Sequence, residues 1–125
     1  MYEVISVVTT TKLHNNFESF ELEWIQDHPN YLQTLSQKIA LAGDKISRRD
    51  SEWNIETNTC EITILFRDIE SALDYMRDTY MQMYQLDVSK IVYNDVQFKE
   101  YLLNTTVSIL DGKYTIKVIS FKEVN

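Results

Sequence analysis

The chain has 125 residues, 44% of them hydrophobic and 25% charged, the proportions of an ordinary globular domain, so neither disorder nor membrane insertion is expected. Its formal net charge of -7 repels phosphate backbones, which argues against nucleic-acid binding. One cysteine excludes an intramolecular disulfide, and two glycines do not make a phosphate-cradling Gly-rich loop.

A chain of this size is expected to form one domain, residues 1–125, around one core. No apolar run approaches the roughly 18 residues of a spanning helix. Met1-Tyr2-Glu3-Val4 shows no basic stretch followed by an apolar one, so no membrane association and a cytoplasmic location are expected.

In chain order, Tyr2 to Thr11 is rich in Val, Ile and Thr, with Val4 and Val8 on one face and Ile5 and Val7 on the other, which predicts an interior strand. Asn16 is placed to cap a helix carrying Phe17, Phe20 and Trp24, yet Phe20, Leu22 and Trp24 also alternate with Glu21 and Glu23. Helix and strand therefore both fit residues 17–26, with helix slightly favoured. Asp27-His28-Pro29 reads as the start of a helix capped by Asp27, with His28 exposed in its first turn. Leu32, Leu35, Ile39 and Ala42 form its core-facing stripe, and Gly43 supplies a left-handed C-terminal cap.

Lys45 to Ile55 reads as a strand with Ser47, Arg49, Ser51, Trp53 and Ile55 on one face and a wet far face of Arg48, Asp50 and Glu52. Glu56 to Thr59 would turn the chain, with Asn58 at positive φ, and place Ile55 opposite Cys60. The next strand buries Cys60, Ile62, Ile64 and Phe66; Cys60 is thus expected to be an inert buried thiol. Asp68 caps a helix of about four turns whose apolar face is Ile69, Ala72, Leu73, Met76, Tyr80, Met83 and Tyr84. Lys90 to Tyr93 reads as a short strand, and Asn94 with Gln97 forms a capping box for a helix ending near Asn104. Asp111-Gly112 predicts a two-residue hairpin loop pairing Ile109 with Tyr114, Val107 with Ile116 and Thr105 with Val118.

This order predicts an α+β domain: a ferredoxin-like split βαβ sandwich over residues 1–93, extended by a short helix and a C-terminal β-hairpin over residues 94–125. Helices would cover one face of the sheet. The other face, carrying apolar residues from Tyr2 to Thr11 and Trp53 or Leu65, would need a second molecule or the C-terminal segment to cover it.

The stretch Ala42 to Arg48, the hairpin from Trp53 to Ile64 and the helix opening Phe66 to Ala72 resemble dimeric α+β-barrel proteins, the group that includes antibiotic-biosynthesis monooxygenases, and also small proteins of tailed phages. The resemblance implies a sheet-to-sheet dimer with cavities for small organic molecules. Haem-degrading members look built on an Asn near the end of the first strand with a later Trp and His. Here both histidines, His14 and His28, precede Trp53, so that haem position is not carried over. Cofactor-free oxygenases of the group use an enclosed aromatic pocket with a polar group. Trp24, Trp53, Tyr75 and Tyr80 are the candidates to line such a pocket or to stand at a subunit contact.

Two histidines and one cysteine at unrelated spacing make no zinc site, and no cofactor or catalytic residue is expected. Asp50 and Glu52 share a strand face with Arg48 and read as a solvated charge ladder. Lys45, Arg48 and Arg49 are the one local basic cluster, a candidate contact for an anion or an acidic partner. The leading expectation is a non-enzymatic, self-associating interaction or assembly protein of viral kind, acting in the host cytoplasm or the virion as a homo-oligomer, most simply a dimer, or with another protein. The alternative is a small-molecule-binding protein or cofactor-independent oxygenase of the dimeric α+β-barrel type.

Overall fold

A computed structural model describes residues 1–86 and 94–124. In it the strands β1 (Tyr2–Thr10), β2 (Ile46–Asn54), β3 (Thr59–Phe66), β4 (Val107–Ile109) and β5 (Tyr114–Glu123) form one antiparallel sheet in the order β2-β3-β1-β5-β4. Helices α1 (Phe17–Asp27), α2 (Tyr31–Ala42), α3 (Ile69–Asp78) and α4 (Asp95–Asn104) complete the described α+β architecture. Among the described residues, no helix is long and apolar enough to cross a membrane. The expected strand at Lys90 to Tyr93 lies outside the described residues.

Tyr2 to Thr10 is an interior strand, paired on one edge with β3 and on the other with β5. The inward set Val4, Ser6, Val8 and Thr10 is buried beneath the helices, because alternation sends every second side chain to one face. Two apolar clusters fill the interlayer space. Val4, Ile64, Phe66, Leu73, Met76, Tyr80, Phe98 and Leu102 form one under α3 and α4. Val8, Phe20, Trp24, Cys60, Tyr114 and Ile116 form the other under α1.

Residues 17–27 resolve as helix, and the deciding contact is local: Asn16 Oδ1 accepts from Ser19 N at 2.8 Å, which satisfies one orphan donor of the first turn. Asp68 does the same for α3 through Ser71 N, and Asn94 for α4 through Gln97 N. The expected four-turn helix after Asp68 is α3 followed by a π-turn over Thr79–Met83, where Tyr84 N–H reaches back five residues to the Thr79 carbonyl at 3.2 Å.

Several expectations need correction. Asp27 does not cap α2. It closes α1, where Lys113 Nζ and the Tyr114 hydroxyl take its carboxylate, each at 2.6 Å, and Asn30 stands at the start of α2. The buried stripe of α2 is also displaced: Leu32 is 55% exposed and Ile39 41%, whereas Lys38 is buried and Tyr31 and Leu35 half-buried. The turn after β2 begins earlier than expected, because Asn54 Oδ1 accepts from the N–H groups of Glu56 and Thr57, and so Trp53, not Ile55, lies opposite Cys60. Asn58 does take positive φ, at 55°.

At the C-terminal hairpin, Val107 pairs with Ile116, Ser108 with Thr115 and Ile109 with Tyr114 as expected. The expected pairing of Thr105 with Val118 is not made. Thr105 is the C-terminal cap of α4, so β4 begins only at Val107, and Val118 is paired on its other edge alone, with Ser6 of β1. The C-terminal segment therefore widens the sheet in its own plane instead of covering the far face. That face carries Ile5, Val7, Thr63 and Leu65, all half-buried, and no described helix lies on it.

Candidate functional site

Between the helices and the β2–β3 half of the sheet lies a cavity of about 60 Å³, lined by Phe20 and Trp24 of α1, Tyr31 and Lys38 of α2, Arg49 of β2 and Tyr75 of α3. That is more space than a single water needs, so it has room for a few heavy atoms. The walls are mostly apolar or aromatic. The charged residues among them are two neighbouring cations, Lys38 and Arg49, and one carboxylate, Glu21.

Lys38 reaches the cavity because the rotated α2 turns Tyr31 and Lys38, seven residues apart, toward the sheet. Its side chain is 94% buried, being 6% exposed, and its ammonium donates to the Tyr75 carbonyl at 3.2 Å and to the Thr79 hydroxyl oxygen. The Thr79 hydroxyl in turn donates to the Tyr75 carbonyl at 2.8 Å, and the ammonium stands 3.8 Å from the centre of the Tyr75 ring. Burial holds the Lys38 pKa down at about 8; Asp78 pulls it up and Arg49 pushes it down further.

Arg49 points inward from β2, opposite Ile64 on β3, and its Nη2 donates to the Tyr31 hydroxyl at 3.4 Å. Its Nε is buried and has no hydrogen-bond partner among the described residues. Nor does any carboxylate among them lie within ion-pair distance of Lys38 or Arg49. Burial raises the pKa of both Tyr31 and Tyr75, and the Arg49 charge pulls each partly back. Burial likewise pushes the Cys60 thiol up to about 11, so this cavity-lining sulfur stays protonated and unreactive at neutral pH.

A second polar group ties α1 to the sheet edge. His14 is buried with Nδ1 2.8 Å from Ser19 Oγ and Nε2 3.1 Å from Glu23 Oε1. Glu23 also meets Lys12 at 3.5 Å and Lys113 at 3.7 Å, and Tyr114 bridges toward it from Asp27. Burial would raise the Glu23 pKa, but the His14 bond and the Lys113 charge outweigh it and hold the carboxyl below its usual range. The Lys113 and Tyr114 bonds hold Asp27 low as well. With every carboxylate here matched by a cation or hydroxyl, the group reads as a structural tie. His28 belongs with it: expected in an exposed first turn, it is half-buried and stacked on Trp24, with ring centres 3.9 Å apart.

Of the sequence-derived candidates, Trp24 and Tyr75 line the cavity. Trp53 lies on the helix-covered side of the sheet, its ring stacked on Phe20 at 5.0 Å, so the open face carries Leu65 and not Trp53. Tyr80 is fully buried beside Tyr84 and Phe98. The basic cluster separates. Lys45 is exposed in the short 3-10 turn before β2, Arg48 pairs with Asp50 at 2.8 Å on the far face, and Arg49 turns inward.

Sequence reasoning missed Lys38. The signal was available as a second helical stripe, Tyr31, Leu35, Lys38 and Ala42, at steps of four, three and four. Among the described residues, no three His, Cys, Asp or Glu side chains converge as metal ligands. No protein-family model, curated protein or solved structure matches the chain.

Proposed function

We propose that this is a non-enzymatic, self-associating assembly protein, whose helix-free sheet face packs against the same face of a second copy. The observation that carries this reading is the layout of that face. Its centre carries Ile5 and Val7 of β1 and Leu65 of β3, with Glu3 at one end against Lys122; Asp50, Glu52 and Glu61 outnumber Arg48 and leave the β2–β3 side net acidic, while Lys117 and Lys122 make the β5 side basic. A twofold axis running along the strands lays the acidic side of one copy over the basic side of the other; an axis across the strands would stack acid on acid. The face is thus complementary to itself under one of the two simple operators.

The strand order β2-β3-β1-β5 supports a ferredoxin-like reading of the core, with β5 in the position of the fourth strand and β4 added at the edge. A viral setting belongs to the same proposal and is supported by the resemblance to tailed-phage proteins.

Light scattering coupled to gel filtration tests the association. The wild type is expected to run as a dimer that weakens with salt, and Val7→Lys as a folded monomer with unchanged circular dichroism, since one charge in a sheet-to-sheet contact is left unpaired. Wild type that stays monomeric at high micromolar concentration would overturn the reading.

A further inference from the structure

Independently of self-association, we propose that the cavity between α2, α3 and β2 is a binding site for a small organic carboxylate, held by the Lys38 ammonium and the free edge of the Arg49 guanidinium. The cavity holds two cationic side chains and one carboxylate, Glu21, and among the described residues neither Lys38 nor Arg49 has a carboxylate within ion-pair distance, Asp78 acting on Lys38 only from further off. A protein interior rarely keeps such a pair, because burying a charge without an opposite charge is costly and the two cations also repel each other. An anion between them removes both penalties.

The donors fit that occupant. Arg49 Nε–H and the Nη2 edge beside it point the same way, which is the side-on fork a carboxylate takes with two parallel hydrogen bonds. Nε is buried and without a partner, while Nη2 makes a long contact to the Tyr31 hydroxyl and the guanidinium also bonds to the Tyr75 hydroxyl. Lys38 spends its bonds on Tyr75 and Thr79, so the ammonium is held at the cavity wall. The lining favours a carboxylate over phosphate: Lys38 and Arg49 set against Glu21 leave one net positive charge, which matches a monoanion better than a dianion, and Phe20, Trp24, Val8 and Ile62 offer apolar contact to a hydrocarbon body. The volume of about 60 Å³ restricts that body to a few heavy atoms.

Charged and titratable groups stand near Lys38 from every neighbouring element: Glu21 from α1, Tyr31 on its own helix, Arg49 from β2, Cys60 from β3, Tyr75 and Asp78 from α3, and Tyr84 after the π-turn. Burial among them brings the Lys38 pKa down to about 8. Affinity for a carboxylate is therefore expected to fall as pH rises through that value, because the anion loses one of its two cations.

The test is titration of the full chain with acetate, butyrate and inorganic phosphate, followed by two-dimensional NMR of backbone, Trp24 indole and Arg49 Nε–H signals. Saturable shifts with acetate or butyrate, centred on the Trp24 and Arg49 signals, support the site. Arg49→Met and Lys38→Met should each weaken binding by about tenfold or more, as expected for losing a charge-assisted bond. Lys38→Met also keeps an apolar side chain of similar length, so loss of folding is not its expected effect. Absence of saturable shifts, or equal affinity in wild type and both variants, would overturn the site. Phosphate binding as tightly as butyrate would overturn the carboxylate assignment.

Discussion

Replacing Lys38 by Met should stabilise the protein at neutral pH and should stop doing so in alkali. The ammonium has an ordinary value of 10.5 and is held at about 8 in the folded chain. That difference of about 2.5 units, at about 1.36 kcal/mol each, makes the cost of keeping the charge buried on the order of 3 kcal/mol. Between pH 8 and 10.5 the unfolded chain holds more protons at this position than the folded one. Wild-type stability contributed by Lys38 therefore rises across that window, and the penalty is fully present below it. Met fills the space without the charge, losing the bonds to Tyr75 and Thr79, so a net gain of about 2 kcal/mol is expected at neutral pH. Urea denaturation of both proteins at pH values below and above the window would show the variant's advantage falling through zero to a deficit of about 1 kcal/mol, the worth of the lost bonds. A variant less stable than wild type at neutral pH, or a difference that does not change with pH, would refute the reasoning.

Ile64→Asp places a carboxylate in the main core and should cost several kcal/mol, enough to abolish a cooperative thermal transition at room temperature. Tyr114→Phe removes the hydroxyl bound to Asp27 and near Glu23; loss of a bond to a charged acceptor should lower stability by about 2 kcal/mol, read as a lower urea midpoint with unchanged slope. Asp68→Ala removes the cap of α3 and should cost about 1 kcal/mol, a loss that Asp68→Asn should largely avoid.

The elements whose ends are set by near neighbours were legible in the sequence. Asn16, Asp68 and Asn94 each bond an N–H three residues on, and Asp111 and Gly112 take the expected positive φ angles, 55° and 84°, in a hairpin loop where Leu110, at 52°, adds an unforeseen third. Features decided across the chain were not. Asp27 has the composition and place of a helix cap, but Lys113 and Tyr114, brought beside it by β5, take its carboxylate. On α2 two apolar stripes share Leu35 and Ala42, and a lysine in the middle of one made the other, with Leu32 and Ile39, look like the core face. What decided between them was Thr79 and the Tyr75 carbonyl, which give the Lys38 ammonium partners inside. Hence the cavity's aromatic walls were partly foreseen, through Trp24 and Tyr75, and its charge was not.

The π-turn over Thr79–Met83 also bears on ancestry. A helix holding one residue more than α geometry accommodates is the expected trace of a single-residue insertion, absorbed as a local bulge so that the flanking turns keep their faces. Met81 and Gln82 are exposed there, which is where an extra residue is tolerated most cheaply. A relative with one residue fewer between Thr79 and Met83 would run a regular helix through this region. Without compensation, removing that residue would turn everything after it by about 100° relative to α3, carrying Tyr84 away from Tyr80, whereas Thr79, fixed by its bond to the Tyr75 carbonyl, would keep its aim at Lys38.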